Sequence, residues 1–273
     1  MQNGDGLLGT AYYQSCITFP KPGSKRFYYI FVVGNYHITP LTGIRYSLVD
    51  IEANGGEGKV IYKNFYLSGG DDAMDVLTAT VHRNNRDVWV VTRKQAQFTY
   101  TYSAYLVTPT GIHSPVYSIF KKTTPITQSP MGTIRISPDG KKFIDSQFSN
   151  NLFGHFDNNL GTITRFSGGL DFAFSFSIGT EFSPSSKYLY ICGTSNQFNF
   201  IVLQFDANAI DSLSFQNSQQ LVGFIPNPTQ SSTGMFLMMQ SAPDGKLYGV
   251  RFENTKLFTL NYPDKAGLGS DFQ

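Results

Sequence analysis

Ile134-Arg135-Ile136-Ser137-Pro138-Asp139-Gly140-Lys141-Lys142-Phe143-Ile144 reads as a strand, a tight turn and a returning strand. Pro138 fixes its own φ, Asp139 can bond back to the main chain, and Gly140 accepts the positive φ that folds the second strand onto the first. The pattern recurs at Glu181-Phe182-Ser183-Pro184-Ser185-Ser186-Lys187-Tyr188-Leu189-Tyr190 and at Gln240-Ser241-Ala242-Pro243-Asp244-Gly245-Lys246-Leu247-Tyr248. A repeated supersecondary unit settles architecture before any single residue does.

Looser copies precede these three. Aligning the turn cation gives Lys25, Arg86, Lys141, Lys187 and Lys246, hence five units. Each holds four short strands, A to D. In the first, A lies near Gln14 to Phe19, B at Arg26 to Val33, C at Ile44 to Ile51 and D near Lys59 to Leu67. The B segments, such as Phe27-Tyr28-Tyr29-Ile30-Phe31-Val32-Val33 and Val88-Trp89-Val90-Val91, are apolar without alternation, so both sheet faces must be covered. Sheets that pack face to face around an axis meet that need. The expected fold is therefore all-β, a β-propeller of four-stranded antiparallel blades in a single domain over 1–273, with almost no helix. The blades fall at about 14–67, 76–120, 133–166, 179–224 and 236–273, and 1–13 serve as an outer strand or a closing segment. Glycines at Gly132, Gly179 and Gly234 suit close backbone approach ahead of the A strands, and Asp50, Asp157 and Asp206 suit the turn from C into D.

Composition agrees. Charged residues make up 15% and aromatic residues 15%, without the Ala/Glu/Lys/Leu runs of long helices. A net charge of +2 with scattered Lys and Arg gives no nucleic-acid footprint; the nearest basic cluster, Lys21, Lys25 and Arg26, sits at a hairpin tip. No run reaches the roughly 20 apolar residues of a membrane-spanning helix. Met1-Gln2-Asn3-Gly4-Asp5-Gly6 does not look like a signal peptide. Cys16 and Cys192 lie in apolar runs of different units, so buried free thiols are expected, with a disulfide left open.

Gly4-Asp5-Gly6-Leu7-Leu8-Gly9, Pro20-Lys21-Pro22-Gly23-Ser24, Gly43-Ile44-Arg45-Tyr46-Ser47, Asn54-Gly55-Gly56, Ala104-Tyr105-Leu106-Val107-Thr108 and the Ser-Pro-Asp-Gly-Lys turns together resemble the propeller (WD-repeat or YVTN-like) region of large secreted surface proteins of gliding bacteria. In that family PKD modules and a C-terminal secretion signal commonly accompany the propeller. The resemblance implies a fragment of a six- or seven-bladed propeller, truncated at both ends, and an extracellular or cell-surface location.

Catalytic signatures are thin. His37, His82, His113 and His155 fall in different units without metal-ligand spacing. Asp71-Asp72 with Asp75 is the most acidic patch, but its spacing is not that of a calcium loop. Asn54-Gly55-Gly56-Glu57-Gly58-Lys59 superficially suggests a phosphate loop, yet no helix follows it. Phe172-Ala173-Phe174-Ser175-Phe176 could line a stacking rim or lie between blades. The sequence thus predicts a non-catalytic binding or scaffold module for a protein or glycan, without cofactor, metal, nucleic acid or membrane insertion. No catalytic or ligand-binding residue is assigned. The alternative is a propeller hydrolase or lactonase-like enzyme, which requires two acidic or histidine side chains meeting at one axial mouth.

Overall fold

The computed structural model describes residues 1–9, 14–34, 43–73, 76–123, 125–126, 132–147, 150–167, 176–195, 199–209, 211–227, 237–251 and 256–273. Among the described residues, twenty strands form five successive antiparallel sheets. The first is β1 (Cys16–Pro20), β2 (Phe27–Val33), β3 (Ile44–Asp50) and β4 (Lys59–Tyr66), in that order. The second holds β5 (Leu77–Val81), β6 (Val88–Ala96) and β7 (Thr99–Thr108). Its outer position is shared by β8 (Gly111–Ile112) and β9 (Val116–Lys121), both paired to β7 on either side of Pro115, which has no N–H for the ladder.

The third sheet is β10 (Thr133–Ile136), β11 (Lys142–Gln147), β12 (Asn150–Asp157) and β13 (Thr162–Ser167). The fourth is β14 (Phe176–Phe182), β15 (Tyr188–Thr194), β16 (Phe200–Asp206) and β17 (Gln220–Ile225). The fifth is β18 (Leu237–Ser241), β19 (Leu247–Arg251) and β20 (Leu257–Leu260), and Phe272 bridges Leu260 in the fourth position. There Thr259 N–H donates to Gln273 O at 2.8 Å and Gln273 N–H to Thr259 O at 2.9 Å. The architecture is all-β, a propeller of five blades of four antiparallel strands, as the repeats require.

Two compact units are formed: Met1–Pro130 with Phe156–Thr164, and Met131–His155 with Arg165–Gln273. In the first, Tyr29, Phe31 and Val33 of β2 pack with Leu77, Val90 and Tyr105 in one core. Residues 1–9 run beside β4: Gln2 bridges Lys59 in parallel, and Asn64 bonds Leu8 N–H and the Gly6 carbonyl. Residues 10–13 lie outside the described residues.

Among the described residues of the second unit, one core gathers around Phe153, Phe182, Phe205 and Phe215 and another around Tyr190, Val202, Met239 and Phe258. An unforeseen helix, α1 (Ser212–Asn217), lies between β16 and β17. Asp211 caps it: Asp211 Oδ1 accepts Ser214 N–H at 2.7 Å, and Asp211 N–H donates to Ser214 Oγ at 3.2 Å. This lets Phe215 stack on Phe153 and Phe205 at centroid distances of 4.4 and 5.0 Å.

The repeated turn is a structural device. Ser137 Oγ accepts Lys142 N–H at 2.9 Å and donates to Asp139 Oδ1, while Gly140 has φ +69°. Asp139 N–H then donates to Ser186 Oγ in the next turn at 2.9 Å, and Ser185 N–H donates to Asp264 Oδ1 at 3.0 Å. Gly132 fulfils its expectation: its φ is +153°, and an added Cβ would run into the Ser146 carbonyl. Gly234 lies outside the described residues. Asp50, Asp157 and Asp206 each accept a backbone N–H two residues on, at 3.1, 2.8 and 2.9 Å.

Candidate binding cleft

In the first unit the innermost strands β1 and β5 run side by side. Gln14 and Val76 form a parallel bridge at one end. Beyond it the strands are not paired among the described residues, and a cleft of about 520 Å³ opens between them. Its walls are Ile17, Phe19, Ala79, Val81 and Val88, and its rim carries Lys21, Asn85 and Arg86. Val81 is 51% exposed, unusual for an apolar side chain beside a core strand. Phe19 is held by stacking on Phe31 at 5.5 Å, so that wall is set by the blade core.

Electrostatics at the rim follow from the two A-to-B turns. Arg26 makes a bidentate bond to Asp50, at 2.8 and 2.6 Å, and Arg86 Nε lies 2.9 Å from Asp87 Oδ1. Hydrogen bonds from these arginines are the leading influence holding Asp50 and Asp87 below the usual carboxylate range. Lys21, Lys25 and Arg83 have no ion-pair partner among the described residues.

In the second unit, the innermost strands bring Arg135 of β10 and Glu181 of β14 together, with Nε 3.3 Å from Oε2. Glu181 also accepts Phe182 N–H at 3.1 Å and Ser241 N–H from β18 at 3.4 Å. Burial is the strongest influence on Glu181 and pushes its carboxyl up, against the Arg135 charge and these bonds. A cavity of about 230 Å³ lies beside Arg135, lined also by Met238, Met239, Gln240 and Tyr248. The arrangement is one carboxylate with one guanidinium. Among the described residues, no three His, Cys, Asp or Glu side chains converge in metal-binding geometry.

Most motifs singled out in the sequence occupy turns. His82 Nδ1 accepts Asn84 N–H at 3.0 Å, which leaves Nε2 to face Asn159 O at 3.3 Å, and His113 Nε2 lies 3.1 Å from Thr108 Oγ1. Asp72 pairs with Lys94 at 2.7 Å. Asn54–Gly56 is a 3₁₀ turn between β3 and β4. His37, Asp75 and Phe172 to Ser175 lie outside the described residues. Cys192 is buried, as expected, but Cys16 is exposed, because the inner strand β1 leaves one row of its side chains uncovered; both thiols are free. The cleft itself was missed: its only trace is that the first two turns replace Pro-Asp-Gly by Pro22-Gly23-Ser24 and Asn84-Asn85 and gather cations.

Several solved structures share the fold. A periplasmic gluconolactonase of Pseudomonas aeruginosa is 11% identical with a TM-score of 0.55, covering 89% of this chain and 67% of that one. A functionally unknown protein of Desulfotomaculum acetoxidans is 12% identical with a TM-score of 0.56, covering 94% and 68%. The Dos1 propeller is 13% identical with a TM-score of 0.50, covering 90% and 55%. At these identities the likeness is one of fold. No known protein family and no curated protein matches the sequence.

Proposed function

We propose that this chain is a non-catalytic binding or scaffold module of a secreted or surface protein, with a protein or glycan ligand seated between β1 and β5. The 520 Å³ cleft carries this reading: apolar walls with a few polar groups at the rim are how proteins hold ligands. The sequence resemblance to bacterial surface propellers supports the location. The test is binding to glycan and peptide arrays by the wild type and by Thr18→Trp, which fills the cleft from an exposed lining position. Ligands held in the cleft are lost from the variant while its circular dichroism is unchanged; ligands retained in full by Thr18→Trp refute the assignment.

A second reading, hydrolysis of a lactone, draws on Glu181, the partner of the Arg135 that lines the smaller cavity, and on the fold shared with a gluconolactonase. It requires glucono-lactone hydrolysis that disappears in Glu181→Gln; a wild type without hydrolysis above the buffer rate removes it.

A further inference from the structure

The backbone of the cleft is as informative as its side chains. Lys21 N–H donates to Phe27 O at 2.8 Å and Val33 N–H to Ser15 O at 2.9 Å. Antiparallel ladders alternate, so Ser15, Ile17 and Phe19 turn their polar backbone groups to β2. Those of Cys16 and Thr18, and the carbonyl of Pro20, point to the opposite edge. On β5, His82 N–H donates to Asp87 O at 2.7 Å, so the alternate residues Leu77, Ala79 and Val81 direct theirs toward β1. Two strand edges therefore face one another across the cleft, joined only at the Gln14 to Val76 bridge among the described residues. Edges of this kind accept an added strand.

Charge sets the occupant's chemistry. The two turns beside the cleft carry Lys21, Lys25, Arg26, Arg83 and Arg86 against Asp87 alone within the turns. Arg26 and Arg86 are already neutralised, whereas Lys21, Lys25 and Arg83 are not. In the second unit, two of the corresponding turns carry a carboxylate of their own. Lys142 Nζ lies 3.0 Å from Asp139 Oδ2, and Asp244 stands two residues before Lys246. The two turns beside the cleft thus carry more cations than carboxylates.

We propose that the cleft captures an extended acidic segment of another protein, which adds as a strand along the free edge of β1 and lays its carboxylates against Lys21, Lys25 and Arg83. This rests on the binding reading above and names its ligand class. Alternate apolar side chains of the segment enter between Ile17, Phe19 and Val81.

The probe is a fluorescein-labelled alternating Glu-Val octapeptide followed by fluorescence anisotropy, with a Gln-Val octapeptide and a Glu-Val octapeptide N-methylated at alternate amides as controls. The Glu-Val peptide binds saturably and more weakly as salt is raised. Reversing two cations that have no ion-pair partner among the described residues, in Lys21→Glu/Arg83→Glu, weakens it about fivefold to tenfold, from the small worth of each surface pair. N-methylation or Thr18→Trp abolishes binding. Equal binding of the Glu-Val, Gln-Val and N-methylated peptides overturns the inference. If instead a glycan binds and is lost in Thr18→Trp while no peptide binds, the inference fails and the binding reading stands. If neither binds, both fail.

Discussion

Replacing Phe215 by alanine removes a side chain that is fully buried between two stacked rings, Phe153 at 4.4 Å and 15° and Phe205 at 5.0 Å and 12°. Phe→Ala in a core costs about 3 to 5 kcal/mol, and stacked pairs contribute about 0.5 to 1.5 kcal/mol each beyond area. With two such pairs lost, the expected destabilisation is about 4 kcal/mol or more. Phe215→Leu keeps most of the apolar volume and loses the stacking, so it is expected to cost about 2 kcal/mol. The assay is urea unfolding of the full chain by far-ultraviolet circular dichroism, with the denaturant slope compared between variants so that a change in cooperativity is not mistaken for one in stability. A loss below about 1 kcal/mol for Phe215→Ala, or equal losses for both variants, would refute the claim that α1 serves to seat this ring.

Maleimide should label Cys16, which is exposed, and leave Cys192 untouched until the chain unfolds, since burial pushes that thiol up to about 12; peptide mass mapping reads both. Gln204→Leu removes bonds from Nε2 to Tyr190 Oη and Lys265 O and from Gly267 N–H to Oε1, and should cost about 2 to 3 kcal/mol, read by thermal unfolding. Acid should destabilise the fold. Asp139, whose burial is outweighed by bonds from Ser137 and Lys142, sits below its ordinary value, so its contribution is complete above about pH 4 and is lost as pH falls through the folded value. Glu181 runs the opposite way: its raised folded value means a contribution complete below about pH 4 and lost as pH rises. The stability difference between wild type and Glu181→Gln should therefore change with pH, and parallel pH profiles would contradict that.

Strand positions were legible because the turn chemistry is local. Ser137 to Lys142 states its own hydrogen bonds, and β2 and β15 announce two-sided burial by unbroken apolar runs. What escaped notice depends on contacts distant in sequence. β11 is buried throughout although it carries Asp145, Ser146 and Gln147, and the solution is a polar one: Gln147 Nε2 donates to Asp145 Oδ2 at 2.9 Å and Ser146 Oγ to Asn151 Oδ1 at 2.7 Å. α1 did leave a trace, Asp211 three residues before Ser214, but six residues are too few for an amphipathic pattern to show. The cleft is a property of two neighbouring inner strands that diverge, and no stretch of one strand encodes divergence.

Trp89, the one tryptophan of the chain, donates from Nε1 to Asn158 O at 2.9 Å, lies 5.8 Å from the His82 ring, and leaves Gly161 no room for a Cβ. Its partners in the turn after β12 are 69 residues away along the chain. Intrinsic emission is therefore a one-site stopwatch: during refolding it reaches its native value only when that distant turn arrives, after the local hairpin of β5 and β6 has brought His82 beside the indole. Closing so long a loop carries a chain-entropy cost that a hairpin avoids, so the fluorescence phase should trail the earliest strand formation seen by circular dichroism.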